Sequence, residues 1–305
     1  MSKPFTLAIL PDTQIYSESF PHIFTAQTQW IADKKDEHNI VFTLHEGDIT
    51  NRNTAEQWQN ASNSMGVLEG EVPYAIVMGN HDMGPDGDSS VRDSMFDEYF
   101  PVSRYSDLPT FGGTFRSESL DNSYHLFEAG DTGWLIVALE FMPRDSVIEW
   151  ANDVTASHAD RKVIVLTHSH VHHNQCLYGS EPGPAGTMGI ISSSEGCNDG
   201  IDTWKKLMRR HQNMSLVFNG HFIGQSRITG TGNEGNLVHQ MLSNYQDMLE
   251  GGQGYLRLVE CDPSNRTISV KTYSPYLDTY INDEKNEFVI QNADLSYVWH
   301  ISGGI

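Results

Sequence analysis

Basic residues are scarce in this sequence: 19 Lys and Arg stand against 40 Asp and Glu, a formal net charge of −21. A surface of that sign repels duplex nucleic acid and anionic membranes, so neither is expected as a partner, and any anionic substrate needs local positive charge to be held. Cysteine is scarcer still. Cys176, Cys197 and Cys261 are the complete set, and none forms the C-x-x-C spacing of a structural zinc site. Long apolar runs are missing, since no stretch approaches the roughly 20 residues needed to cross a bilayer. No G-x-S-x-G elbow, phosphate-binding Walker loop or dinucleotide fingerprint occurs, which removes support for serine-hydrolase, ATP-driven and nicotinamide chemistry. A hydrophobic share of 38% in 305 residues is ample for a buried core and leaves no room for long disordered segments.

Apolar runs alternate with amphipathic stretches through the first two thirds of the chain. FTLAIL precedes a helical pattern near Phe24 to His38, IVFTL precedes a helix near Thr54 to Leu68, and YAIVM precedes one near Val91 to Tyr99. A hairpin from SYHLFEA to WLIVALE, a helix from about Ser146 to His158, the strand VIVLT, the helix IDTWKKLMRRH and the strand LVFNG follow. From Ser226 to residue 305 the period shortens to strands separated by turns. The expectation is an α/β fold of two packed mixed β-sheets with helices outside, formed as one domain over residues 1–305. Cys176 and Cys197 bracket a Gly- and Ser-rich stretch that a disulfide would staple, and that pairing, with the acidic surface, favours a periplasmic or secreted setting over a cytoplasmic one. The same stretch is long enough to act as a flap over a cleft.

Polar turns close five of the strands: Pro11-Asp12-Thr13-Gln14, Glu46-Gly47-Asp48-Ile49-Thr50-Asn51-Arg52, Gly79-Asn80-His81-Asp82, Thr167-His168-Ser169-His170 and Asn219-Gly220-His221. In α/β sheets ligands bind beyond the carboxyl ends of strands. An Asp or Asn after one strand is ordinarily a cap or a turn, but Asp, Asn and His at five successive ends supply the oxygen and nitrogen donors of a metal cage for Mn, Fe or Zn.

The order D-x-[HQ], GD-x-x-[DN]-R, GNH-[DE], H, GH resembles the calcineurin-like metallophosphoesterase superfamily, and the later segments NYQDMLEGGQGYLRL and KTYSP resemble a bacterial branch of it. The resemblance implies a four-layer α/β/β/α sandwich, a dinuclear centre, and hydrolysis of a phosphomonoester or phosphodiester by attack of a metal-bridging hydroxide. It implies that Asp48 bridges two divalent ions, that Asn80, His168 and His221 complete one site, and that Asp12 opens the other. The usual His two residues after that Asp is Gln14 here, and the usual last His is Ile223, which cannot ligate. The site of Asp12 and Gln14 is therefore harder, open to Mg or Ca as well as Mn, or served by a donor such as His45, Gln225 or His239. The resemblance makes His81 the general acid toward the leaving oxygen, puts Asn51 where relatives carry the Asp that orients that histidine, and puts Arg52 where they clamp phosphate oxygens. His170 is a further candidate to approach substrate. A metal-dependent binding protein without catalysis, its first metal site degenerate, is the alternative.

Overall fold

The computed structural model describes residues 2–179 and 195–296. Among them no helix is long and apolar enough to cross a membrane. The strands β1 (Phe5–Leu10), β2 (Ile40–His45) and β3 (Tyr74–Ile76) are parallel neighbours in one sheet. Its other half is antiparallel: β11 (Leu256–Asp262) pairs with β1, and β12 (Thr267–Ser274) pairs with β11, β13 (Thr279–Ile281) and β14 (Phe288–Gln291). The second sheet runs β4 (Phe111–Arg116), β5 (Ser119–Ala129), β6 (Thr132–Leu139), β7 (Lys162–Thr167), β8 (Met214–Asn219), β10 (Leu237–Asn244), β9 (Gly224–Thr231), with β6, β7, β8 and β10 parallel.

Alternation along the strands builds the layers, because successive side chains on a strand point to opposite faces. Phe5, Leu7 and Ile9 of β1 meet Trp134, Ile136, Ile164, Leu216 and Phe218 in the core between the sheets. Ala8 and Leu10 face the other way, onto α2 (Pro21–Lys34) and α3 (Ala55–Gly66) through Phe24, Ile31, Trp58 and Met65. The outer face of the second sheet buries Leu135, Val137, Val163 and Val165 against Val147, Ile148 and Ala151 of α5 (Asp145–Ser157). Full burial of each such side chain contributes about 1.5–3 kcal/mol. The result is the expected four-layer arrangement, with helices outside two mixed sheets.

Three local expectations are corrected. The helix expected over Val91 to Tyr99 is confined to α4 (Phe96–Tyr99). Upstream of it the chain is pinned as a loop, with Ser94 Oγ donating to Asp82 O at 2.6 Å and Met95 N to Asn53 Oδ1 at 3.2 Å. The strand β4 escapes sequence reading because Gly112 and Gly113 dilute its apolar pattern; Gly112 is needed there, since a Cβ would run into the Tyr124 ring. The Cys176–Cys197 disulfide does not form. Both residues are thiols: Cys176 Sγ donates to Asn174 Oδ1 at 2.7 Å, while Cys197 packs against the core under α2 and α3 with Met142 Sδ 3.7 Å away. The compartment argument built on that disulfide goes with it. The expected flap falls mostly on residues 180–194, outside the described residues.

Candidate metal centre

The parallel strands β1, β2 and β3 of one sheet and β7 and β8 of the other bring their carboxyl ends to one edge of the sandwich. Asp12 and Asp48 follow β1 and β2, Asn80 begins a one-turn 3-10 helix (Asn80–Asp82) after β3, and His168 and His221 follow β7 and β8. All are nearly buried. The ligand atoms of Asp48, His168 and His221 lie within 4.8 Å of one another.

His168 Nδ1 lies 2.8 Å from the Glu46 carbonyl. A carbonyl only accepts, so that nitrogen carries a proton, and loss of the other proton leaves Nε2 as a lone pair aimed into the cluster. Around Nε2, at 3.2 Å each, stand Asp48 Oδ1, Asn80 Oδ1 and His221 Nδ1. Four electron-rich atoms with at most one proton among them fit a divalent cation, and two nitrogens with two oxygens suit Mn, Fe or Zn.

The chain holds this geometry at a cost. Asp48 (φ 48°) and His221 (φ 70°) both sit in the left-handed region, an excursion worth about 1–3 kcal/mol for a residue with a Cβ. Glycines make room for it: a Cβ on Gly79 would overlap Asp48 and one on Gly220 would overlap Asp12. Buried Asp82 ties together the loops that carry Asp48 and Asn80 by accepting from Gly79 N, Ile49 N, Thr50 N and Thr50 Oγ1 at 2.7–3.0 Å. Sequence reasoning passed over this role, although the residue was visible as the last letter of GNHD.

Asp12 accepts the backbone N–H of His221 at 3.0 Å, which brings the two loops into contact across the sheets. Gln14, the first residue of α1 (Gln14–Ser19), is buried, and its Oε1 finds no hydrogen-bond partner among the described residues. A buried amide oxygen without a donor is costly, and a hard cation beside Asp12 would satisfy it. The other donors considered for that site differ in access. His45 has both ring nitrogens engaged, by Gly47 N at 3.2 Å and Thr13 Oγ1 at 2.9 Å. His239 contacts Thr229 Oγ1 and does not line the cleft, whereas Gln225 does, as does Ile223.

The cleft over the centre has a volume of about 710 Å³ and is lined at one part by Asp48, Asn80, His81 and His221. His81 Nδ1 lies 3.0 Å from the backbone carbonyl of Asn51, so the peptide rather than the side chain orients the ring. The Asn51 amide instead donates to Glu18 Oε2 at 2.9 Å, and the exposed Arg52 pairs with the same carboxylate at 3.2 Å. His172 and His173 lie on a loop with their rings tilted against each other, centroids 4.0 Å apart, and line the cleft. His170 does not: it is fully buried between Thr203 Oγ1 (3.0 Å) and Gln240 Oε1 (2.7 Å), because its strand-end position turns it into the second sheet.

Across residues 5–224 the sequence matches the family model described as calcineurin-like phosphoesterase. The chain belongs to that family. Solved structures share the sandwich: a purple acid phosphatase from yellow lupin (Lupinus luteus) seeds aligns with a TM-score of 0.56 at 13% identity, over 95% of this chain and 54% of its own. A dimetal phosphatase from Danio rerio aligns with a TM-score of 0.53 at 12% identity, over 95% of this chain and 99% of its own. In sequence, the Bacillus subtilis (strain 168) protein YvnB, described as uncharacterized, is 34% identical over 93% of this chain. The chain spans 21% of the length of that relative.

Electrostatics make the family's metal dependence testable here. Burial disfavours charge on His168, but Asp48 and Asp12 outweigh it and raise its pKa to about 9. Burial raises Asp12 to about 8. Both groups thus hold protons at neutral pH when no cation is bound, and a cation must displace them. Metal affinity, read by chelator competition, is expected to climb between pH 6 and 8 by roughly tenfold per pH unit for each proton released, and to level off above the pKa of His168. Affinity that stays flat or falls over that range contradicts the ligand set.

Proposed function

We propose that the chain hydrolyses a phosphate ester, monoester or diester, with two divalent cations. The observation that supports this most is the convergence of Asp48 Oδ1, Asn80 Oδ1, His168 Nε2 and His221 Nδ1 on one point at the floor of an open cleft. Asp48, Asn80, His168 and His221 would hold one cation; Asp12, Gln14 and Asp48 would hold the other. Bound cations supply an acidified water as nucleophile and neutralise phosphate oxygens.

The remaining roles fall to the chain's own groups. His81, its Nδ1–H fixed by the Asn51 carbonyl, presents the opposite ring nitrogen for proton donation to the leaving oxygen. Asn51, through its carbonyl, is a positioning residue. Arg52, 60% exposed at its side chain and paired with Glu18, would leave that carboxylate to clamp a phosphate oxygen with its planar fork. The reading treats residues 1–305 as one catalytic unit, with Mn, Fe or Zn at the nitrogen-rich site and Mg, Ca or Mn admissible beside Gln14.

Ile223, standing in the cleft where the family carries an imidazole, favours a second reading: a binding module with one metal. Hydrolysis of p-nitrophenyl phosphate and bis(p-nitrophenyl) phosphate, measured with Mn, Mg, Ca, Zn and Fe alongside metal counting, separates the two. The expected result is turnover of at least one ester with two ions per chain. No turnover with any metal supports the binding module, and turnover with a single bound ion removes the dinuclear part.

A further inference from the structure

Among the described residues that line the metal cleft, Lys285 is the only Lys or Arg. In a chain of net charge −21 that makes it the point of attraction for anions within the cleft. It stands exposed on the turn between β13 and β14, and among the described residues its ammonium makes no ion pair.

The turn beneath it is built far more rigidly than a surface lysine requires. Asp283 Oδ1 accepts from Lys285 N at 2.9 Å and from Asn286 N at 3.1 Å. Asn286 is buried, and its Oδ1 receives Tyr245 Oη and Thr272 Oγ1, both at 3.1 Å. Two guanidiniums grip adjacent carbonyls: Arg257 Nη2 donates to Lys285 O at 2.9 Å and Arg227 Nη1 to Glu284 O at 2.8 Å. Arg227 also lies over the Phe288 ring at 3.9 Å.

Arg257 is the more telling of the two. It is 2% exposed, and its hydrogen bonds go to Tyr245 Oη, Leu242 O and Lys285 O, all uncharged. Burying a guanidinium against neutral acceptors costs more than burying an apolar residue of its size. Here the cost fixes the backbone of the one cleft lysine, leaving only its side-chain rotamers free.

The cleft is also larger than a phosphate group needs, falling in the range of sites that hold whole small molecules. Lys285 enters this cleft from the turn between β13 and β14, whereas the cation ligands come from the ends of β1, β2, β3, β7 and β8. We propose that it binds a second anionic group of the substrate, so that the substrate is a phosphate ester bearing a further carboxylate or phosphate. The Gln225 and Gln246 amides, which line the same cleft, add neutral hydrogen-bonding groups to that subsite. The substrate class rests on the phosphoesterase reading; the anion subsite is tested without turnover.

The test is calorimetry on the Mn-loaded protein with three non-hydrolysable probes: phenylphosphonate, 4-carboxyphenylphosphonate and 1,4-phenylenediphosphonate. At low salt the probes with a second anionic group are expected to bind roughly 3–10-fold more tightly than phenylphosphonate, an advantage that shrinks as salt is added. The larger of the two gains names the group preferred. In Lys285→Ala the ratio falls to one or below, and Lys285→Arg restores it. A ratio near one in the unaltered protein, an advantage that survives in Lys285→Ala, or no binding of any probe overturns the proposal. If the ratio behaves as expected while no ester is hydrolysed, the anion subsite stands and the catalytic reading falls.

Discussion

Gly79→Ala is expected to strip the protein of its metal while leaving it folded. The Cβ would overlap both the Oδ1 and the backbone nitrogen of Asp48 and come within 2.7 Å of His168 Nε2. None of these atoms can yield easily. Asp48 is already in a left-handed conformation and is held by the His81 amide at 3.0 Å, and His168 is fixed through its other nitrogen to Glu46. A ligand moved by about 1 Å costs on the order of 100-fold in a site that depends on its geometry, and here two are displaced together. Metal affinity is therefore expected to drop by roughly 100-fold or more, with turnover lost in parallel. Metal content per chain after gel filtration, beside a near-UV circular dichroism spectrum that shows the packed core intact, is the measurement. Full metal content in a folded Gly79→Ala protein would show that the centre is not where the four donor atoms converge.

His81→Ala is expected to separate metal binding from chemistry. The ring hangs beside Asn80 and touches the centre through its own backbone amide, which an alanine retains, so the cations stay. Removing a general acid costs about 100- to 10,000-fold in turnover. The loss should depend on the ester. An alkyl leaving group needs its oxygen protonated as the bond breaks, whereas p-nitrophenolate departs with little help, so the alkyl ester should suffer more. Equal losses for both esters would assign His81 to charge stabilisation, and no loss would remove it from the reaction.

Some of this molecule is written in short, local patterns and is therefore readable. The strands that deliver the donors are runs of apolar residues with polar turns after them, and the GD, GNHD and GH turns each need a glycine at the point of closest approach. The same locality explains what escaped. Asn51 sits at the position expected to steer His81, yet its side chain belongs to Glu18, 33 positions away in sequence, and the peptide does the steering. His170 follows His168 by two residues and reads like another donor, but the strand end turns it toward Gln240, 70 positions on. The thiols of Cys176 and Cys197 frame a plausible loop, and only packing against Met142 and Asn174 shows that each is used elsewhere. Lys285 carries no motif at all. Its place in the cleft is set by arginines on β9 and β11, and no period or spacing along the chain encodes that.

The partnership of β1 with β11 bears on how the molecule comes into being. Phe5 lies opposite Cys261, and Asp12 meets the amide of His221. A ribosome that has released only the first half of these residues has delivered Asp12, Asp48 and Asn80 but neither histidine that faces them, and the first strand still has one edge open to any passing β-segment. Capture of an ion by this donor set therefore waits for the second half of these residues, after the two sheets have met. Until then Asp12 and Asp48 face neither of those histidines, and the open edge of β1 waits for β11.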